Sequence, residues 1–210
     1  MPTSQKAHLA PLLPPDWNDE MLDALGAFPG GLKFVLNGWE ETGGTAVRGT
    51  HMLGALAQYP DLARAFLTFN NHVATNSTLT TRDRELLILR TGWLKKCEYE
   101  YIMHTILGRR AGITDEEIDR IGTGPDAAGW SEEDADLIRA ADELHRDTRI
   151  SESTWERLST RYNHRQLMDI VFLVGCYDVV AMAMRSFNIG LESTEEPLDP
   201  ETRARMFGQP

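Results

Sequence analysis

The chain has 210 residues, 32 acidic against 21 basic side chains, and a formal net charge of −11, with a pI of about 5.0. That balance argues against a broad surface for nucleic acid or anionic membrane. Two cysteines, Cys97 and Cys176, are too few for a secreted disulfide framework. The length suits one domain with extensions.

Taken in chain order, residues 1–15 are Pro-rich and read as an arm, with no basic-then-apolar leader in the first ten residues. A short helix is expected over residues 17–27, stopping before Pro29, Gly30 and Gly31. Residues 38–44 read as a loop, and a helical pattern resumes near Ala46 with Met52, Leu53 and Leu56 on one side. Pro60 suits the first turn of the next helix, whose apolar face is read as Leu62, Phe66 and Phe69. Helix starts are then marked by hydroxyl–carboxylate pairs three residues apart: Thr80 with Asp83, Thr114 with Glu117, Ser131 with Asp134, Ser153 with Glu156. Asn163 with Gln166 is a looser variant. Gly112, behind Arg109 and Arg110, reads as a glycine stop. The apolar run 170–184 contains Asp178, is short for a membrane span, and reads as a buried core helix. Residues 191–210 are polar and read as a tail. No segment demands a strand. The resulting division is an arm and short helix over 1–44, a helical domain over 45–190 and a tail over 191–210, in an all-α chain.

Chemistry-bearing side chains concentrate between residues 82 and 104. In a helix, Cys97, Glu100 and His104 have i, i+3, i+7 spacing and fall within roughly 60° of one another. Buried carboxylates, thiols and imidazoles cost stability unless paired, so three on one face call for a reason. Glu85 fits two readings: a carboxylate desolvated by the apolar stretch behind it and able to exchange a proton, or a first-turn glutamate favoured by the helix dipole. Cys97 fits either a thiol activated at a helix N-terminus or a small buried hydrophobe. His104 is a proton shuttle or a satisfied core histidine. Tyr101, Trp93, His51, Tyr177 and Arg185 are candidates to line the same cavity, and Arg48, Arg90 or Arg185 to hold a substrate carboxylate. No metal-ligand pattern, Gly-rich phosphate loop or serine elbow is present, so neither metal nor cofactor is expected.

The stretch 79–118, with Arg82, Asp83, Arg84 and Glu85, then Cys97 to Tyr101, His104, and Arg110 to Glu117, resembles the carboxymuconolactone decarboxylase family. That superfamily includes the AhpD-type alkylhydroperoxidases. The later positions Trp130, Asp142 to His145, Trp155 and residues 167–189 look like its longer members. The resemblance spans about 45–190 and implies an AhpD-like helical bundle. AhpD-like members carry a glutamate, a CxxC pair and a histidine four residues after the second cysteine. Glu85 precedes Cys97 by 12 positions (97 − 85), as in the family, and His104 matches the histidine. Glu100 stands at the second cysteine position, so no CxxC disulfide forms here.

The resemblance implies a catalytic set of Glu85, Cys97, Glu100 and His104 in an enzyme with a small-molecule substrate, while charge, cysteine count and the lack of a leader-like or spanning segment lead us to expect a cytoplasmic protein with no nucleic-acid or membrane partner. It also implies a homo-oligomer: dimer, trimer or hexamer. Three functions compete. The first is a cofactor-independent acid/base lyase or decarboxylase acting on a small organic acid or lactone. The second is a thiol hydroperoxidase, of peroxiredoxin-type activity, using Cys97, with Cys176 as a possible resolving thiol. The third is a non-catalytic small-molecule binding protein.

Overall fold

A computed structural model describes residues 7–208. Among them are eleven α-helices and no strand, so the all-α expectation holds. The helices fall into two compact units, one of residues 1–75 with 182–197, the other of residues 76–181 with 198–210.

The first unit holds α1 (Asp19–Leu25), α2 (Pro29–Glu41), α3 (Thr50–Leu56) and α4 (Pro60–Asn71). Asn18 caps α1 by accepting from the Met21 amide, as expected for a short polar side chain at that position. The expected stop at Pro29 is instead a start. Pro29 is at the first turn of α2, where its fixed φ is already helical and its missing N–H costs nothing. Helix α2 runs on through Gly38 to Glu41, so the loop expected over 38–44 begins only at Thr42. Gly38 is accommodated because a Cβ there would press on the Val47 side chain at 2.6 Å. Residue 46 is coil, and α3 begins four residues later. In α4 the buried face is Ala63, Leu67 and Asn70, one residue round from the expected stripe, and Leu62 is exposed. Trp17, Leu25, Val35, Leu53 and Leu67 form the centre of this unit's core, with Leu12, Phe28 and Phe66 packed against it.

The second unit holds α5 (Thr81–Leu94), α6 (Glu98–Arg110), α7 (Asp115–Thr123), α8 (Glu132–Asp147), α9 (Glu152–Arg161), the greater part of α10 (His164–Ser186) and α11 (Pro200–Phe207). Helix α5 is central: it packs on α6, α7 and α8, and residues 85–92 are buried without a break. A helix apolar on all sides belongs inside. Thr80 caps it, Thr114 and Glu117 form a reciprocal capping box on α7, and Ser131 caps α8. Asn163 and Gln166 exchange side-chain-to-backbone bonds at the start of α10. The α9 cap is Ser151 rather than Ser153, because Ser151 also bonds the buried Glu143 carboxylate through both its amide and its hydroxyl.

The C-terminal stretch is not a plain tail. Asp199 caps α11, the Leu198 amide and the Arg203 guanidinium both donate to Glu98, and Arg205 lies over the Trp93 ring. Helix α10 is long and apolar enough to cross a membrane by length and composition, yet 56% of its most apolar window is buried inside the protein. Met168, Phe172, Val179 and Met182 are exposed, so it is a core helix on one side only.

Candidate functional site

The site is built on the α5–α6 hairpin. Lys96 takes a positive φ of 53° in the turn, and the Cys97 amide donates to the Gly92 carbonyl at 2.9 Å. Gly92 lets the helices close up: a Cβ there would meet the Tyr101 amide at 3.4 Å and the Glu100 Cβ at 3.5 Å. This close antiparallel approach sets Glu85, near the start of α5, beside His104 in the middle of α6. The His104 Nδ1 lies 2.7 Å from a Glu85 carboxylate oxygen, with both side chains buried. On the other side of the ring, Nε2 stands 3.6 Å from a Glu100 carboxylate oxygen, beyond hydrogen-bond length. Glu85, His104 and Glu100 thus form a line of two carboxylates with an imidazole between them.

Helix α10 closes over this line. The Thr78 amide and hydroxyl donate to Asp169 at 2.6 and 2.8 Å, and Lys95 pairs with Asp178 at 2.8 Å. These ties hold α10 against both ends of α5. Tyr177, between them, sets its ring edge-on to His104 with centroids 4.9 Å apart.

The electrostatics separate the two glutamates. Burial pushes the Glu100 carboxyl above the ordinary value of 4.5; the Glu85 charge adds to this and His104 opposes it. Glu100 is therefore held toward its neutral, proton-bearing form. Burial, with Glu100 and Glu85 nearby, also keeps the Tyr177 phenol protonated. In the tautomer in which His104 Nδ1–H donates to the Glu85 carboxylate, Nε2 is left facing Glu100.

The remaining sequence candidates lie as follows. Cys97 is the N-cap residue of α6, with its side chain not capping the helix, and is 1% exposed; neither it nor Cys176 is in a disulfide, and both are buried. Tyr101 points its hydroxyl to the Ile118 carbonyl at 3.0 Å and meets the Trp93 ring edge-on. Tyr101 and Trp93 thereby tie α6 to α7 and, through Arg205, to α11. His51 belongs to the other unit, where its Nδ1–H donates to the Gly190 carbonyl and its amide to Glu192. Arg185 is exposed and counted with that unit too. Arg90 is committed: it forms a two-point pair with Asp142 and donates to the Ile121 carbonyl. What sequence reasoning lacked was the pairing of Glu143 with Ser151 and of Lys95 with Asp178, since neither follows a helical spacing. Among the described residues, no group of three or more His, Cys, Asp or Glu side chains is arranged to hold a metal ion.

Comparison with known proteins agrees with this architecture. No curated protein matches the sequence significantly. Among solved structures, an uncharacterized peroxidase-related protein with an AhpD core from Ralstonia eutropha JMP134 superposes with a TM-score of 0.66 at 17% identity, covering 81% of this chain and 90% of that one. A peroxidase-related protein from Silicibacter sp. TM1040 gives 0.64 at 18%, covering 94% and 96%. The debrominase Bmp8 gives 0.68 at 12%, covering 94% and 95%. At these identities the likeness establishes the fold alone. A family model for the carboxymuconolactone decarboxylase family matches residues 60–143, a stretch that includes Glu85, Cys97, Glu100 and His104. Over residues 60–143 the chain thus matches the family model of the carboxymuconolactone decarboxylase family, and its fold is the AhpD-like helical one.

Proposed function

We propose that this protein is a cofactor-independent acid/base enzyme, a lyase or decarboxylase acting on a small organic acid or lactone. The observation that carries the reading is the Glu85–His104–Glu100 line, in which environment gives two carboxylates opposite roles. Glu85 orients His104 and balances its charge when it is protonated. Nε2 of His104 is the base. Glu100, whose carboxyl burial raises above its ordinary value, is the acid. Loss of CO₂ from an activated acid leaves an electron pair that a conjugated carbonyl absorbs, and a proton must then reach carbon. Glu100 or the protonated His104 supplies it. The test is CO₂ release from a panel of small lactones and β,γ-unsaturated acids. Glu85→Gln, Glu100→Gln and His104→Ala are each expected to lower turnover about 10²–10⁴-fold. Undiminished turnover in His104→Ala would rule out this site.

A second reading, a thiol hydroperoxidase, draws support from the family's Glu85–Cys97–His104 spacing and from neighbours described as peroxidase-related. Burial of Cys97 and a carboxylate at the second cysteine position weigh against it. Peroxide consumption with a dithiol reductant, lost in Cys97→Ser and accompanied by oxidised Cys97 in the mass spectrum, would favour the thiol reading over the acid/base one.

A further inference from the structure

Tyr177 brings α10 to the Glu85–His104–Glu100 line, and its place is fixed from both directions. The Asp169–Thr78 bonds hold the helix about two turns earlier, and the Lys95–Asp178 pair holds the next residue. Its ring meets His104 edge-on, with centroids 4.9 Å apart. A phenylalanine would fill that place as well, so the hydroxyl is what calls for a reason. Tyr101, also buried, spends its hydroxyl on the Ile118 carbonyl. Tyr177 differs: what acts on its phenol is burial, then Glu100, Glu85, Cys176 and Arg84, with no hydrogen bond among them. Buried phenols ordinarily find a partner. Beside a candidate site, an oxygen of the ligand is the partner left to fill that role.

Arg84 supplies a second, independent observation. Its Nη1 and Nη2 donate to neutral oxygens, the Leu79 carbonyl and the Thr81 hydroxyl, at 3.1 and 3.3 Å. Its Nε–H is buried and meets no acceptor. Arg82 is spent on Glu117 and Asp134, and Arg90 on Asp142, whereas Arg84 pairs with no carboxylate among the described residues. Its charge is nevertheless felt at the Tyr177 phenol. A half-buried cation and an unused phenol together suit a negative oxygen that the ligand brings. We propose that the Tyr177 hydroxyl donates to an anionic oxygen of the ligand, with the Arg84 guanidinium balancing its charge. The chemistry of that oxygen rests on the acid/base reading. There the C–CO₂ bond breaks and its electron pair moves onto the conjugated carbonyl, whose oxygen becomes the anion that Tyr177 bonds. The phenol keeps its own proton; carbon takes one from Glu100 or the protonated His104, and the carbonyl re-forms. Substrates are then acids whose carboxyl stands β to a carbonyl, directly or through one intervening double bond, and plain saturated acids are excluded.

Binding and turnover test this separately. The probe is 4-nitrophenolate, a planar oxyanion with no carboxyl to lose, titrated by its absorption band. The wild type is expected to bind it. Tyr177→Phe, which keeps the ring against His104, and Arg84→Met are each expected to weaken binding about tenfold or more, as loss of a bond or charge at an anionic oxygen does. Arg84→Lys is expected to recover most of the binding, because it keeps the charge. On any acid that the wild type decarboxylates, Tyr177→Phe is expected to lower kcat about 10²–10³-fold with KM little changed. Its melting temperature is expected to stay at the wild-type value, since no internal bond is lost; a purely structural role would move the melting temperature instead of kcat. Nitrophenolate binding that is absent in the wild type, or equal in Tyr177→Phe, overturns the proposal, as does an undiminished kcat in that variant. Nitrophenolate binding that depends on Tyr177, with no CO₂ released from any acid on the panel, upholds the oxyanion donor and removes the decarboxylase reading.

Discussion

Glu100 is where burial and chemistry pull against each other. Its carboxyl is raised above 4.5 chiefly by desolvation, so the folded protein holds its proton more tightly than the unfolded chain does. Below the unfolded value both states are protonated and Glu100 adds no pH dependence. As pH climbs from 4.5 towards the raised folded value, the unfolded state ionises alone and stability falls; above that value the penalty is constant. Glu100→Gln is therefore expected to melt higher than wild type at about pH 8, with the gap closing below about pH 4, as scanning calorimetry across pH would show. If Glu100 is the general acid proposed above, wild-type turnover is expected to decline as pH rises through the raised value. Arg90 carries the opposite lesson. It looks from sequence like a substrate-carboxylate ligand, but its guanidinium is spent on Asp142 and the Ile121 carbonyl. Arg90→Met strands a half-buried carboxylate and is expected to cost on the order of 3 kcal/mol in denaturant unfolding. A local spacing put Glu100 and His104 on one face. It could not show which way Tyr101 and Trp93 would turn, because that depends on α7 and α11, distant in the chain.

Local signals fared best where a helix starts on a side chain whose bond partner is three residues away. Thr80, Thr114, Ser131 and Asn163 all cap as their spacing predicts. Replacing Thr114 by Ala breaks a reciprocal box and is expected to lower stability by about 1 kcal/mol, measured by urea unfolding. Ser153 fails against Ser151 because a third party decides: Glu143, on α8, takes the Ser151 amide and hydroxyl and the Thr154 hydroxyl together. Pro29 misleads because a proline is read equally well as a stop or as a first turn. The choice turns on whether the following residues find a core, and Val35 does. For α10 the pattern is apolar on both faces, so periodicity gives no hint of which one is buried. Within the first unit, Gly54 sits under the Leu12 carbonyl, where an added Cβ would come within 2.0 Å of the oxygen. Gly54→Ala forces backbone to move and is expected to cost about 2–3 kcal/mol, visible as a lower melting temperature.

At the scale of the molecule, the all-α architecture was legible from capping pairs and the absence of strand signals, and the family-model match over residues 60–143 from the spacing of Glu85, Cys97 and His104. The two-unit division was not legible. It depends on pairings that span most of the chain, such as Thr78 with Asp169, or His51 with Gly190 and Glu192. No composition shift marks the points where the chain passes from one unit to the other. Each unit is assembled from two separate stretches of sequence, and this bears on how the protein is made. Emerging from a ribosome N-terminus first, residues 1–75 wait for 182–197, and residues 76–181 wait for 198–210. The first unit does not reach its final form until residue 197 is out, and nascent α1–α4 spend that interval with Glu192 and Gly190 still unsynthesised. A stop codon near residue 181 would leave both halves unfinished rather than one intact and one lost.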